Sequence, residues 1–319
     1  MAPSTTSQQT SALAGRLRLI LRGSNDSGIR ATWRVLLAMP VLWVLTGGVL
    51  AGNLQTAVPW IPSGQAPMAG LAQSVLHAGF FLVALAVWAR YLDARPLSEY
   101  GVSATPAWTL DLAAGFGAVV VGFVVWLGLG AALGGVTVTT ALSSPQGSLG
   151  TELVVAAVAL LLHAAVQQLV FFRVILGSAA EGLGSRDLSR TWAFAGALVV
   201  AVVLFVAMHG SVTPLRVLDL VVAGCVFGLL ALHTGELALG TGAHFGALAA
   251  GSVLFSPAAN AGSGPAVFQM TGSLPGLLGT ANEYGFPKMV VAYLALLAWL
   301  QWRRGEITVG NGTVQPAGD

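Results

Sequence analysis

Runs of about twenty apolar residues, separated by short polar connections, are what most constrain the fold of this chain. In lipid no water satisfies backbone N–H and C=O groups, so such a run folds as a helix whose hydrogen bonds are internal. A hydrocarbon core of about 30 Å takes roughly 20 helical residues. Eight segments meet this length, at 35–54, 70–90, 110–134, 152–178, 191–209, 215–232, 236–255 and 286–302. The 319 residues are 55% hydrophobic and 8% charged, with a mean hydropathy of +0.80, which fits a polytopic membrane protein and not a soluble one. The expected fold is all-α: one bundle of eight transmembrane helices over 35–303, between a basic tail at 1–34 and a C-tail at 304–319.

The positions of the basic residues give an orientation. Arg16, Arg18, Arg22, Arg30 and Arg34 precede the first span; Arg90 and Arg95, Arg186 and Arg190, and Arg303 and Arg304 fall at every second end thereafter. Both termini are therefore expected in the cytoplasm, with the chain in the cell membrane. Connections 55–69 and 135–151 carry no basic residue, and Arg216 and Lys288 alone mark the other two outer ends. Connection 256–285 is rich in Gly, Ser, Pro and Ala; it is expected either to move or to fold over the outer face. Leu13, Leu17 and Ile20 alternate with Arg16, Arg18 and Arg22, consistent with a basic helix on an anionic leaflet or with a disordered leader. The first fifteen residues are polar, so no cleavable signal peptide is expected. A net charge of +2 is too slight to suggest nucleic acid, and the single cysteine, Cys225, excludes an internal disulfide.

Polar residues inside apolar spans need partners, a cavity or a ligand. His163, Gln167, Gln168 and Arg173 lie in the fourth span, and helical spacing puts His163 and Gln167 on one face. His163, His209 and His244 lie on three different spans, and neutral imidazole is a good zinc ligand. Each could equally be bonded to a backbone carbonyl; His77 and His233 are read that way. Gly130-x-x-x-Gly134, Gly224-x-x-x-Gly228 and Gly242-x-x-x-Gly246 are pairs that let helices approach closely, the last straddling His244.

Three of these stretches carry a resemblance. Gln167-Gln168-Leu169-Val170-Phe171-Phe172-Arg173, then Phe205-Val206-Ala207-Met208-His209, then Thr234-Gly235-Glu236-Leu237 leading to His244 resemble the motifs of the CPBP intramembrane metalloproteases. That family includes the CAAX prenyl endopeptidases and bacteriocin-processing or immunity proteins, and its motifs are Glu-Glu-x-x-x-Arg, Phe-x-x-x-His and His-x-x-x-Asn. Leu97-Ser98-Glu99-Tyr100-Gly101-Val102 adds a weaker likeness, and the whole covers about 90–250. The resemblance implies a cavity open to the cytoplasmic side, where a glutamate activates water and two histidines with an asparagine complete a metal or oxyanion site. It implies zinc as cofactor and a membrane-borne peptide as partner.

Carried over by position, Phe205, His209, His244 and Arg173 match. Gln168 stands at the first glutamate, Leu169 at the second and Leu248 at the asparagine; with one residue inserted before Arg173, Gln167 and Gln168 take both glutamate positions. A neutral amide has no usable basicity and brings no charge to a cation. The expected protein is therefore a member with reduced or lost proteolysis, a pseudoenzyme keeping a cavity for a membrane-borne peptide or protein segment. The alternative is an active metalloprotease using a His163/His209/His244 site, in which the metal lowers the pKa of water without a carboxylate ligand. Arg173 is read as an interface anchor or a partner of Glu181. Glu152, Glu236 and Glu283 are read as remote from any site.

Overall fold

The computed structural model describes residues 30–46, 67–103, 105–145, 147–186, 188–210, 213–273, 279 and 286–309. Most of the basic tail and the end of the C-tail lie outside the described residues. Each of the eight apolar segments overlaps a helix among the described residues, the first over 35–46. They are α1 (Ala31–Thr46), α2 (Pro67–Trp88), α3 (Pro106–Ala132), α4 (Leu149–Leu169) running through a π-turn (Val170–Ile175) into α5 (Leu176–Gly184), α6 (Arg190–Ala207), α7 (Pro214–Thr234), α8 (Ala238–Ala249) and α9 (Pro287–Arg304).

Local chemistry sets many of the ends. Thr105, Ser148 and Thr213 each accept a first-turn N–H, and Pro106 and Pro214 occupy the first helical position, where no donor is needed. Gly235 and Gly305 close α7 and α9 in the left-handed conformation, with φ of 69° and 73°.

Five helical stretches among the described residues are long and apolar enough to cross a membrane: Ser74–Asp93, Pro106–Ala132, Leu149–Gly184, Arg190–Ala207 and Pro214–Thr234. The other three of the eight expected spans fall short by that measure. Ala238–Leu254 is apolar but shorter, α1 has 16 residues, and α9 carries Lys288, Arg303 and Arg304.

The all-α expectation needs correction. Three strands, β1 (Val136–Ser143), β2 (Phe255–Pro257) and β3 (Ala266–Gly272), form a sheet in the order β1-β3-β2. β1 runs antiparallel to β3 with Val138 opposite Met270, and β2 runs parallel to β3 with Pro257 opposite Met270. The β-branched run Val136-Thr137-Val138-Thr139-Thr140 favours a strand. Val136 and Met270 pack on Trp126 and Leu127 near the end of α3. Connection 256–285 thus folds in part, with β2 and β3 against the bundle; 274–278 and 280–285 lie outside the described residues.

Glycines bring α3 and α8 together. A side chain on Gly242 would strike the Leu112 carbonyl, and one on Gly246 would strike that of Phe116. The close approach expected around His244 is therefore present. Gly224 and Gly228 likewise face Val202 and Leu198 of α6, whereas Gly134 turns the chain at φ 69° with nothing against it.

One end of the bundle is tied by ions. Arg34 reaches Asp93 at 2.6 Å and Glu181 at 2.7 Å, Arg95 reaches Glu181 at 2.7 Å, and Tyr100 donates to Asp93 at 2.5 Å. Asp111 accepts from Trp299 at 2.9 Å, with Arg303 and Arg304 nearby. Arg34 is raised above its ordinary pKa by both carboxylates, against the opposing effect of burial. His233, read as bonded to a backbone carbonyl, bonds that of Thr308 at 2.8 Å and the Tyr293 hydroxyl at 3.0 Å, so it holds the chain beyond α9.

Candidate functional site

At the opposite end, α6, α7, α8 and α9 enclose a cavity of about 360 Å³. Phe205, His209, His244 and Leu248 line it, so four positions of the second and third motifs share one wall. The geometry that unites them centres on Phe205. Its ring lies 4.8 Å from that of His209 and 5.9 Å from that of His244, both edge-on, and 5.4 Å and 5.7 Å from those of Phe171 and Phe172. Phe205 is 1% exposed, and an aromatic ring so enclosed leaves its neighbours few rotamers.

His209 sits just past the end of α6. Its Nδ1–H donates to the Phe205 carbonyl at 2.8 Å, which leaves Nε2 as the acceptor. Burial lowers the pKa of this imidazole, favouring the neutral ring. His244, on α8, is 4% exposed and stacks on Phe227 at 4.7 Å. Its Nδ1 faces Gln168 Nε2 at 3.3 Å, so the amide donates and Nε2 carries the ring proton.

Gln168 is fully buried behind His244, outside the cavity wall. Its Oε1 has no hydrogen-bond partner among the described residues. Room for that oxygen comes from Gly240, where a Cβ would lie 2.7 Å from it. The π-turn begins two residues after Gln168. A π-turn holds one residue more than an α-turn, so it turns the following side chains to a new face. Arg173, within it, bonds the backbone carbonyls of Glu99 and Gly235 at the far end of the bundle. The expected Arg173–Glu181 pair does not form, because Arg34 and Arg95 occupy Glu181.

His163 is exposed and meets Gln167 at 2.9 Å, one turn along α4. Among the described residues, no three His, Cys, Asp or Glu side chains gather as a metal-ligand set. Two imidazoles, one facing an amide N–H, do not fit a catalytic zinc, which takes three protein ligands and usually a charged one or a third histidine.

Sequence reasoning missed the charged wall of the cavity. Asp219 on α7, 4% exposed, meets Arg216 at 2.7 Å and the ammonium of Lys288 on α9, itself 3% exposed. The signal available was an aspartate three residues after an arginine in an apolar helix, since intramembrane acids rarely lack a role. Asn260 and Ser252 also line the space. The cavity lies at the end remote from Arg34, Arg95, Arg303 and Arg304. A cytoplasm-facing cavity and cytoplasmic arginines therefore cannot both hold.

Comparison with known families brings one match. A family model described as Rce1-like, type II CAAX prenyl endopeptidase Rce1-like, matches residues 150–250, a stretch that holds Gln168, Phe205, His209 and His244. No curated protein and no solved structure matches the chain.

Proposed function

Since this chain belongs to the CPBP/CAAX protease family through its Rce1-like segment at 150–250, we propose that it is an integral membrane protein that has lost proteolysis and uses the old cavity to bind a membrane-borne peptide or protein segment. The observation that carries this reading is the Gln168 amide lodged against His244, where the family has a glutamate. The π-turn at Val170–Ile175 supports the alignment with one inserted residue, which puts Gln167 and Gln168 at both glutamate positions.

Among the described residues, no carboxylate without a cation partner lines the cavity to replace that glutamate. A general base must take a proton from water near neutral pH, and positioned bases contribute about 10²–10⁴-fold. Asp219, the one acid lining the cavity among the described residues, is held by Arg216 and Lys288. Phe205, Phe227, Leu220, Leu248 and Met289 give the wall an apolar part, which suits a hydrophobic segment. In the other reading, a protease using His163, His209 and His244, His163 lies within electrostatic reach of His244 but is hydrogen-bonded to Gln167.

The test is a turnover assay of the purified protein on a prenylated membrane peptide, beside His209→Ala. Equal, background-level cleavage by both is expected. Cleavage by the natural protein that His209→Ala abolishes would overturn the proposal.

A further inference from the structure

Gln168 and Arg173 stand five residues apart on one continuous helical stretch, α4 and its π-turn, and both act on the segment that carries His244. Gln168 meets His244 itself, at 3.3 Å. Arg173 reaches the turn that precedes α8, where its Nη1 donates to the Gly235 carbonyl at 3.4 Å, and its Nη2 donates to the Glu99 carbonyl.

Those two carbonyls belong to different segments. Gly235 closes α7, where the last carbonyls have no intrahelical donor and the helix dipole favours a cation. Glu99 lies in the short turn Leu97–Tyr100 that precedes α3. A guanidinium holds several N–H groups in one plane, so a single side chain can serve both. The segments also meet directly: the Gly101 carbonyl accepts from the Leu237 N–H at 3.1 Å and from Trp108 Nε1–H at 3.3 Å, and a Cβ on Gly101 would lie 3.2 Å from the Gly235 carbonyl oxygen. Leu237 is the residue from which α8 starts, and its own side chain makes no cap. The start of α8 is therefore held by the Glu99–Gly101 stretch, with Arg173 as the pin.

The helix carries that placement to the imidazole. Every residue of α8 from Ala238 to His244 is buried, and a short helix so enclosed shifts as a unit. About 9 Å of helix, at 1.5 Å per residue, separates its first residue from His244.

We propose that Arg173 is a positioning residue for His244: by joining the Glu99 and Gly235 carbonyls it fixes the height of α8, and so holds the imidazole against Gln168 and Phe205. Arg173 itself does not line the cavity. This goes beyond the reading above, for it holds whatever the cavity binds and whether or not the protein cuts peptides.

The full chain is labelled with carbon-13 in its histidine rings and held in detergent, and the signals of His209 and His244 are assigned by their loss in His209→Asn and His244→Asn. Arg173→Gln should displace the His244 signal by more than its linewidth and move that of His209 far less. Arg173→Lys, whose ammonium is a point charge and not a fork, should displace it less and in the same direction. Arg303→Gln, which removes an arginine of α9 at the same end, should leave both in place. A His244 signal unmoved in folded Arg173→Gln would overturn the proposal, and so would equal displacement of every histidine signal, the mark of a general loosening. Should Arg173→Gln fail to fold, Arg173→Lys decides alone: displacement of His244 beyond that of His209 supports the pin, and an unmoved His244 removes it.

Discussion

Gln168 Nε2 lies 3.3 Å from His244 Nδ1, and the other end of that amide, Oε1, is buried without a partner. A carboxylate in the same place would present acceptors on both sides and bring a charge, so Gln168→Glu tests what the amide took away. The parent should carry no stoichiometric zinc by elemental analysis. Gln168→Glu, with His209 and His244 intact, should take up more zinc than the parent. Stoichiometric zinc in the parent would show that the two imidazoles hold a metal without the acid.

The niche for Oε1 depends on Gly240. A Cβ there would sit 2.7 Å from the oxygen, and overpacking of this kind costs about 1–3 kcal/mol. Gly240→Ala should therefore destabilise the protein in chemical denaturation, and should cost less when combined with Gln168→Ala. Additive effects would mean that the two do not touch. Gly242→Ala, which meets the Leu112 backbone rather than a side chain, should be the more damaging of the two, while Gly117→Ala, with nothing within 4 Å, should be nearly silent.

How far the sequence discloses this arrangement depends on whether the signal is local. Each helix is written in its own apolar run, and Phe205, His209 and His244 are picked out by their resemblance to the family's motifs, each of which lies on one segment and needs no knowledge of its neighbours. The Asp219–Lys288 pair joins residues 69 apart on different helices, and nothing in either segment names the other. The sheet escaped for another reason. Val136–Ser143 is too short for a span and reads as strand only by its β-branched residues, while its partner β3 lies 130 residues on in a stretch of glycine and serine. The niche at Gly240 and the turn that carries Arg173 away from Glu181 follow from packing and are invisible to pattern.

Phe205 joins both imidazoles to Phe171 and Phe172, so it should matter to stability as much as to the site. Phe205→Ala should cost about 3–5 kcal/mol, typical of a buried phenylalanine, and Phe205→Leu clearly less. If Phe205→Leu keeps the fold yet loses the cavity ligand, the ring positions the histidines rather than merely filling space.

At the ion-tied end, Tyr100 donates to Asp93, and burial together with that carboxylate raises the phenol above its ordinary value of 10.0. The folded state thus prefers the protonated ring. Its contribution is fully present below the unfolded pKa and is lost as pH rises beyond about 10 toward the folded value. Stability should fall in that alkaline window, and Tyr100→Phe should flatten the fall while lowering stability at pH 7 by about 1–3 kcal/mol, because the buried Asp93 loses a donor. An identical alkaline slope in both proteins would mean the phenol is not shifted.

The opposition between arginines and cavity decides which way the cavity faces. Asn260 is exposed and lines the cavity, and Ser185 is exposed at the end of α5 near the Arg34, Arg95 and Glu181 cluster, so the two report opposite ends of the bundle. With Cys225 replaced by alanine, Asn260→Cys and Ser185→Cys each carry one thiol. If positive charge orients this chain as it orients others, an impermeant maleimide added to intact cells should label Asn260→Cys and should reach Ser185→Cys only after permeabilisation. The cavity would then face away from the cytoplasm, and any segment it binds would come from that side. The reverse pattern would place Arg34, Arg95, Arg303 and Arg304 outside, which is costly for a chain inserted under the positive-inside rule but less so when Asp93, Glu181 and Asp111 already neutralise them. Labelling therefore separates an orientation set by unpaired charge from one set by the fold.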